Sequence, residues 1–219
     1  MKQSLSFLGF LAILAAGPAA SGRDFNLSIG VSSQQFFTGE VDPVMKDRRT
    51  TGVSVRLGAE VWNHLLVEAE WVRTREKADL FVVNHTDMIT DWITLGARFR
   101  VPVFSWLEPY ARAGGGLTTG RLDLWAYKVP KVGDRAYSPH FCGALGLEVL
   151  FPRGFIAGGA FHGLTVGASV EVGYLHTLGL RYRLGTRAGR QPALASGGLD
   201  LGTLTLSGMT TRGGLWVHF

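Results

Sequence analysis

Apolar and polar residues alternate along most of this chain, and such alternation predicts β-strands with one apolar face. In the C-terminal stretch, Leu215, Val217 and Phe219 share one face, whereas Arg212 and Trp216 share the other. The aromatic Phe219 is the last residue of the sequence. We therefore expect the last strand to close a sheet that the rest of the chain forms.

The alternation predicts eight strands, separated by polar segments at 38–50, 74–90, 119–138 and 185–198. The predicted strands cover 25–35, 52–61, 65–73, 92–101, 108–118, 140–150, 164–184 and 199–219. The alternation of apolar and polar residues keeps the same phase from Leu164 to Leu184, which predicts one long strand. We expect this strand to leave the bilayer at about Tyr174 and the final hairpin to project beyond it. If 175–206 instead folds back as an extra hairpin, the strand count becomes ten.

Charge is confined to one of the two faces. The first face of the strand cores lacks Asp, Glu, Lys and Arg. The second face carries five acids and five bases: Arg56, Glu60, Glu68, Glu70, Arg98, Arg100, Arg112, Glu148, Glu171 and Arg212. An eight-stranded barrel is too narrow to bury ten such side chains beside an apolar lining. The uncharged face is therefore expected to meet lipid, where an arginine costs about 2–4 kcal/mol near the midplane.

The inward charges predict a network of paired ions that fills the lumen. Glycines on the same face are expected to leave room for the long arginine side chains: Gly58, Gly96, Gly114, Gly146 and Gly167. Aromatic residues are expected to form two girdles at the bilayer edges. One comprises Trp62, Trp106, Phe151, Trp216 and Phe219, and the other Trp71, Phe141 and Tyr174.

Composition agrees with a membrane barrel. The chain has 219 residues, 18% charged residues, 30 glycines and a mean hydropathy of +0.16. No window after the first 20 residues is apolar for 18 residues, which excludes a transmembrane helix. Residues 1–22 read as a cleaved signal peptide, so we expect a single barrel domain at 23–219. The single cysteine, Cys142, excludes an internal disulfide.

Two segments resemble a known family. The run from Pro109 to Gly116 and the run from Leu206 to Phe219 are similar to strands of the small eight-stranded OmpA/OmpX/OmpW-like outer-membrane barrels. The resemblance implies an all-β, transmembrane, antiparallel up-and-down β-barrel in the bacterial outer membrane. It also implies that the barrel-assembly machinery reads the last strand, at Leu215, Val217 and Phe219. An OmpA-type peptidoglycan-binding domain is not expected.

The function expected is structural or surface-interacting, with a plugged lumen and no cofactor. The net charge of +5 lies in loops, so nucleic acid is not an expected partner. Outer-membrane lipid and lipopolysaccharide are expected partners, and the barrel is expected to be monomeric. Bases expected to crown the outer rim, and to meet lipopolysaccharide phosphate, are Lys46, Arg48, Arg49, Arg73, Arg75, Arg121, Lys128, Arg135, Arg181, Arg183, Arg187 and Arg190.

Two other functions are compatible with the sequence. The inward ions could gate a narrow pore for small solutes. The gate would consist of four arginines opposite four glutamates: Arg98, Arg100, Arg112 and Arg212, and Glu68, Glu70, Glu148 and Glu171. Alternatively, a hydrolase acting on lipid A could use rim residues of the Ser, His and acid types: His85, His140, His176, Ser138 and Asp87. Such a triad needs hydrogen-bond geometry that sequence cannot supply. No repeated ligand spacing predicts a metal site.

Overall fold

The fold is known from a computed structural model that describes residues 25–37, 48–80, 84–126, 129–151, 165–184 and 199–218. No helix in these ranges is long and apolar enough to cross a membrane. The strands are β1 (Phe25–Phe36), β2 (Arg49–Trp62), β3 (Leu65–Leu80), β4 (Asn84–Arg100), β5 (Leu107–Ala126), β6 (Val129–Leu150), β7 (Thr165–Thr177), β8 (Leu180–Leu184), β9 (Leu199–Leu204) and β10 (Gly208–His218). The predicted signal peptide, the tip at 185–198 and Phe219 lie outside the described residues.

Eight of these strands form a closed antiparallel barrel in the order β1-β10-β7-β6-β5-β4-β3-β2. Strand β1 pairs with β2 on one side and with β10 on the other, so Ile29 lies opposite both Val55 and Leu215. The predicted eight-stranded transmembrane barrel is confirmed, and the C-terminal strand closes it.

The two faces of the barrel separate as the alternation predicts. Ile29 is 60% exposed, Leu145 is 71% exposed and Leu215 is 61% exposed, because all three point away from the barrel axis. An apolar belt of this extent on the outside of a folded chain fits contact with lipid. Val217 is half-buried at the end of β10.

Strands β3 to β6 are longer than predicted, so the predicted loops at 74–90 and 119–138 are wrong. Strand β5 has 20 residues and β6 has 22, twice the roughly ten that a tilted strand needs to cross a bilayer. Pairing continues through Lys77 opposite Asp87 and Arg121 opposite Arg135. Above the bilayer both faces of a strand can carry polar residues, so hydropathy loses its period although the backbone ladder continues.

The predicted single strand from Leu164 to Leu184 is also wrong. Strand β7 ends at Thr177 and β8 begins at Leu180, and Gly179 between them has φ of +103°. A glycine adopts this left-handed backbone readily. Even-numbered side chains face outward up to Leu178 and inward from Leu180, although apolar residues keep their two-residue spacing in the sequence. Strand β8 pairs only with β9, in a separate two-stranded sheet. The extra hairpin therefore exists, but it adds no strands to the barrel.

The β8–β9 hairpin turns inward over the lumen, so its described part does not project as predicted. Leu180 and Tyr182 are fully buried, whereas Leu178 just before the turn is 59% exposed. The hairpin and the extended strand ends form one apolar cluster, called the upper plug below: Phe36, Val72, Met88, Trp92, Leu122, Ala136, Leu175, Leu180, Tyr182, Leu204 and Leu206. The Gln34 side-chain amide fixes the return of the hairpin by donating to the Leu206 carbonyl at 2.7 Å.

Replacing Gly179 by alanine should loosen the upper plug. A residue with a Cβ is strained at this φ, by about 1–3 kcal/mol, and the added carbon would meet the Thr203 side chain. Amide hydrogen exchange of β8 should therefore accelerate by roughly 5- to 150-fold. Gly143→Ala is the control, since its Cβ would meet only the Arg112 carbonyl, at 3.9 Å. If the amide exchange rate of β8 is unchanged in Gly179→Ala, a strained turn at this position is contradicted.

Candidate functional site in the barrel lumen

The centre of the lumen is organised around Glu171 on β7. Its carboxylate accepts hydrogen bonds from the Arg56 guanidinium at 3.0 Å, from Arg112 at 3.2 Å and from the Tyr110 hydroxyl at 3.0 Å. Arg212 also donates to it. Three other strands of the barrel, β2, β5 and β10, thus send donors to one acid, so Glu171 ties opposite walls of the lumen together.

Glu70 on β3 is the second shared acid. It accepts a hydrogen bond from Arg56 at 3.1 Å and another from Arg112, and the Arg212 Nε lies 3.5 Å from its Oε1. The same three arginines therefore lie between Glu70 and Glu171. Because each carboxylate faces several guanidinium groups, no single pair accounts for the arrangement.

A second group lies around Arg98 on β4. Arg98 pairs with Glu68 and Glu148, and its guanidinium stacks over the Tyr110 ring with 4.7 Å to the centroid. The two groups join through Glu68, whose Oε2 is 3.6 Å from the Arg112 Nε. The ions thus form one connected network along the lumen.

At the end of the lumen near the short turns, Arg100 bonds Glu60 at 2.7 Å and lies 3.5 Å from Glu108. Eight of the ten residues listed from the sequence lie in the connected network, and the other two, Arg100 and Glu60, form a separate group with Glu108. Glu60 is the most exposed of the ten, with 22% of its side chain accessible. Sequence reasoning missed Glu108 and Tyr110. Their signal was present, since both share the parity of Arg112 on the same strand.

Burial makes the mutual pairing of these ions necessary. The Arg98, Glu68 and Glu148 side chains are each only 1% accessible. Moving an isolated ion of this kind out of water costs several kcal/mol, and removing one partner of a buried pair costs about 3–5 kcal/mol. The network carries bases and acids in near balance, which keeps the interior close to neutral.

The inward glycines were predicted to make room for arginine side chains, but the groups beside them are different. A Cβ on Gly146 would collide with the Tyr110 ring, and one on Gly167 would collide with the Trp216 indole. Trp216 is 1% exposed and lies inside the barrel, so its predicted place in an aromatic girdle is wrong. Glycine at these two positions lets flat rings lie against the barrel wall.

A small cavity lies beside the central ions. Its volume is about 10 Å³, and its lining includes Ser28, Ser54, Ser169, Arg56 and Arg212. This volume matches about one water molecule, and the lining is polar enough to hold it.

The predicted hydrolase residues are not assembled into a triad. His140 is buried between the Thr94 hydroxyl at 2.9 Å and the Thr118 hydroxyl at 3.0 Å. His85 stacks on Trp125 with 5.5 Å between ring centroids, and His176 contacts the Ser207 hydroxyl at 3.1 Å.

The predicted nucleophile and acid are engaged elsewhere. The Ser138 hydroxyl donates to the Pro139 carbonyl at 3.1 Å, and the Asp87 carboxylate accepts from Arg75. Across the ranges that the structure covers, no three His, Cys, Asp or Glu side chains are placed to hold a metal ion.

Comparison of the sequence with family models and with curated proteins gave no match. Solved structures are similar in fold. The outer membrane protein OprG of Pseudomonas aeruginosa is 11% identical, with a TM-score of 0.51, and covers 90% of this chain and 95% of its own. Ail of Yersinia pestis, in complex with the heparin analogue sucrose octasulfate, is 15% identical, with a TM-score of 0.50, and covers 91% of this chain and 100% of its own. The chain thus has the fold of the small eight-stranded outer-membrane barrels.

Proposed function

We propose that this protein is a closed, structural barrel of the bacterial outer membrane whose lumen is sealed at two levels and whose outer end offers a surface to other molecules. The observation that carries the proposal is the ion network, in which Glu171 alone joins β7 to β2, β5 and β10. The expected signal peptide would export the chain towards that membrane.

The lower seal is the network itself. Arginine and glutamate side chains from facing walls meet across the lumen, and the small cavity beside Arg56 has room for about one water molecule. An eight-stranded barrel has an interior just wide enough for side chains to fill. Passage of a solute would require several buried ion pairs to separate together, and each separated ion would lack a partner.

The upper seal is the upper plug. Leu180 and Leu206 are fully buried among side chains that the extended strands point inward. The plug is apolar, so it excludes water by a different physical principle from the ions below. Two independent barriers favour a closed barrel over the narrow pore that the sequence left open.

The surface for other molecules is the part of β5 and β6 that rises above β7. The last pair between β6 and β7 is His140 with Thr177, whereas β5 and β6 stay paired up to Ala126 with Val129. Among the described residues, the upper part of β6 therefore has a ladder partner only in β5, and β8 lies near its other side. A strand edge presents backbone groups that another chain can pair with.

The hydrolase that the sequence left open has less support. Its candidate histidines lie apart, and His140 is held between two threonine hydroxyls inside the lumen. General-base catalysis needs a histidine within hydrogen-bond reach of the nucleophile and of the substrate.

The closed state can be tested by single-channel recording. Residues 23–219, refolded into planar bilayers, should give no discrete openings, and protease protection should confirm insertion. A variant with 179–206 replaced by a short Gly-Ser linker should also stay silent, because the lower seal remains. Discrete openings in the unmodified chain that change in Arg112→Ala would support the pore instead.

The lower seal predicts a large stability effect at Glu171. Glu171→Gln keeps the shape but leaves Arg56, Arg112 and Arg212 one counter-charge short, so the free energy of unfolding should fall by about 3–5 kcal/mol. Urea titration in lipid vesicles, followed by tryptophan fluorescence, measures this change. Glu60→Gln is the control, since Glu60 is more accessible, and its cost should be about 1 kcal/mol. Equal losses in both variants would contradict a central role for Glu171.

A further inference from the structure

The outward face of β2 and β3 carries four bases above the apolar belt. They are Arg49 on β2, and Arg73, Arg75 and Lys77 on β3. All four side chains are exposed. They point outward, because they share the odd-numbered face of Val53 and Val67, which are exposed residues of the belt on the same two strands. The barrel wall therefore sets their height relative to the bilayer.

Two of these bases are matched by acids on β4. Arg75 donates two hydrogen bonds to Asp87, at 2.9 and 2.6 Å, and these bonds raise the pKa of its guanidinium. The Arg73 Nε lies 3.8 Å from an Asp91 oxygen. The charges of Arg73 and Arg75 are therefore compensated within the protein.

The other two bases, Arg49 and Lys77, have no such acid. The Arg49 Nε donates to the Ser33 hydroxyl at 2.9 Å, which is a neutral partner. Lys77 is the register partner of Asp87, but the Asp87 carboxylate is held by Arg75. Across the residues that the structure describes, neither Arg49 nor Lys77 forms an ion pair. Positive charge in excess of the acids is thus concentrated at these two side chains.

Arg49 and Lys77 lie on neighbouring strands at matching distances from the last paired residues. The ladder between β2 and β3 ends, at its outer end, with Gly52 opposite Thr74. Arg49 is three residues beyond Gly52, and Lys77 is three residues beyond Thr74. Paired strands are about 4.8 Å apart, so two long side chains that rise from this junction can reach one ligand between them.

The height of the two bases matches the polar layer of a membrane. Val53, 53% exposed, ends the apolar belt on β2. Arg49 is four residues further, about 13 Å along the strand and, at the usual tilt, about 10 Å along the bilayer normal. The polar layer adds about 5–8 Å to each side of the hydrocarbon core. Long basic side chains reach several ångströms back towards it while their charged ends stay in polar surroundings.

We propose that Arg49 and Lys77 together bind a phosphate group on the headgroup of a lipid that surrounds the barrel in the outer leaflet, which in such a membrane is lipopolysaccharide. Ser33 holds the Arg49 Nε, so the two terminal guanidinium nitrogens are left to donate to phosphate oxygens as a fork. Lys77 adds a point charge on the other side. The proposal rests on the proposed outer-membrane location but not on a closed lumen.

The test compares lipopolysaccharide binding by the full chain refolded in detergent micelles, with native mass spectrometry as the measurement. Half-saturation should need about tenfold more lipopolysaccharide in R49Q/K77Q than in the unmodified protein. Phosphatase-treated lipopolysaccharide should bind the unmodified protein with a similar loss. R49K, which keeps the charge without the fork, should lose less affinity than R49Q.

The matched control is R73Q/R121Q, which removes two outward arginines whose side chains are 50% and 47% accessible and which lie near Asp91 and Asp123. Arg73 is about 13 Å along β3 from Lys77, beyond the screening length of about 8 Å at physiological salt. Half-saturation should therefore change by less than about twofold in this control.

Three outcomes would overturn the site. Equal losses in R49Q/K77Q and R73Q/R121Q would indicate a general charge effect. Unchanged binding in R49Q/K77Q would show that neither base holds the lipid. Full binding of phosphatase-treated lipopolysaccharide would show that phosphate is not the group recognised. If inorganic phosphate at equal concentration displaces the lipid, the site takes free anions and the lipid assignment fails.

Heat-dependent gel mobility checks that each variant is folded. If R49Q/K77Q does not refold, the single variant R49Q carries the same comparison, with R121Q alone as its control. Failure of the barrel to insert into lipid at all would instead count against the proposed location, so the two proposals fail in distinguishable ways.

Discussion

A narrow barrel in a bilayer must fill its own interior, and this one fills it with ions. Because neither lipid nor bulk water can neutralise Arg98 or Glu68 at 1% accessibility, each must be neutralised by the other side chains. That requirement fixes which walls face each other. Tyr110, held flat against Gly146, links the two groups by donating to Glu171 and by lying under Arg98.

The same requirement explains the layered interior. Ion pairs occupy the level where the outside is most apolar, and threonine hydroxyls around His140 follow above. The upper plug begins above the lipid, where the inner faces of the strands become apolar, as at Met88 and Leu122. Polar and apolar faces therefore exchange places along the barrel axis.

Sequence alone predicted the barrel and the inward parity of its ions well, because contact with lipid imposes a strict two-residue period from Val53 to Leu57 and from Ile93 to Val101. It failed where that constraint ends. The upper parts of β5 and β6 carry polar residues on the outside, so their pattern looks like that of a loop. At Gly179 the even-numbered apolar side chains change from the outer to the inner face, but their two-residue spacing in the sequence is kept, so alternation cannot reveal the turn. Individual pairings, such as Arg98 with Glu148, depend on the curvature of the barrel. That curvature cannot be read from the hydropathy pattern of one sequence.

The partners of Glu171 are 115, 59 and 41 residues away in the chain, on β2, β5 and β10. These strands come from the beginning, the middle and the end of the barrel. The acid can therefore satisfy all its donors only after the first and last strands have met. Until then, at least one arginine lacks its counter-ion. The network thus couples the electrostatic completion of the interior to the closure of the barrel, and an unclosed or misregistered intermediate is disfavoured by its own uncompensated charge.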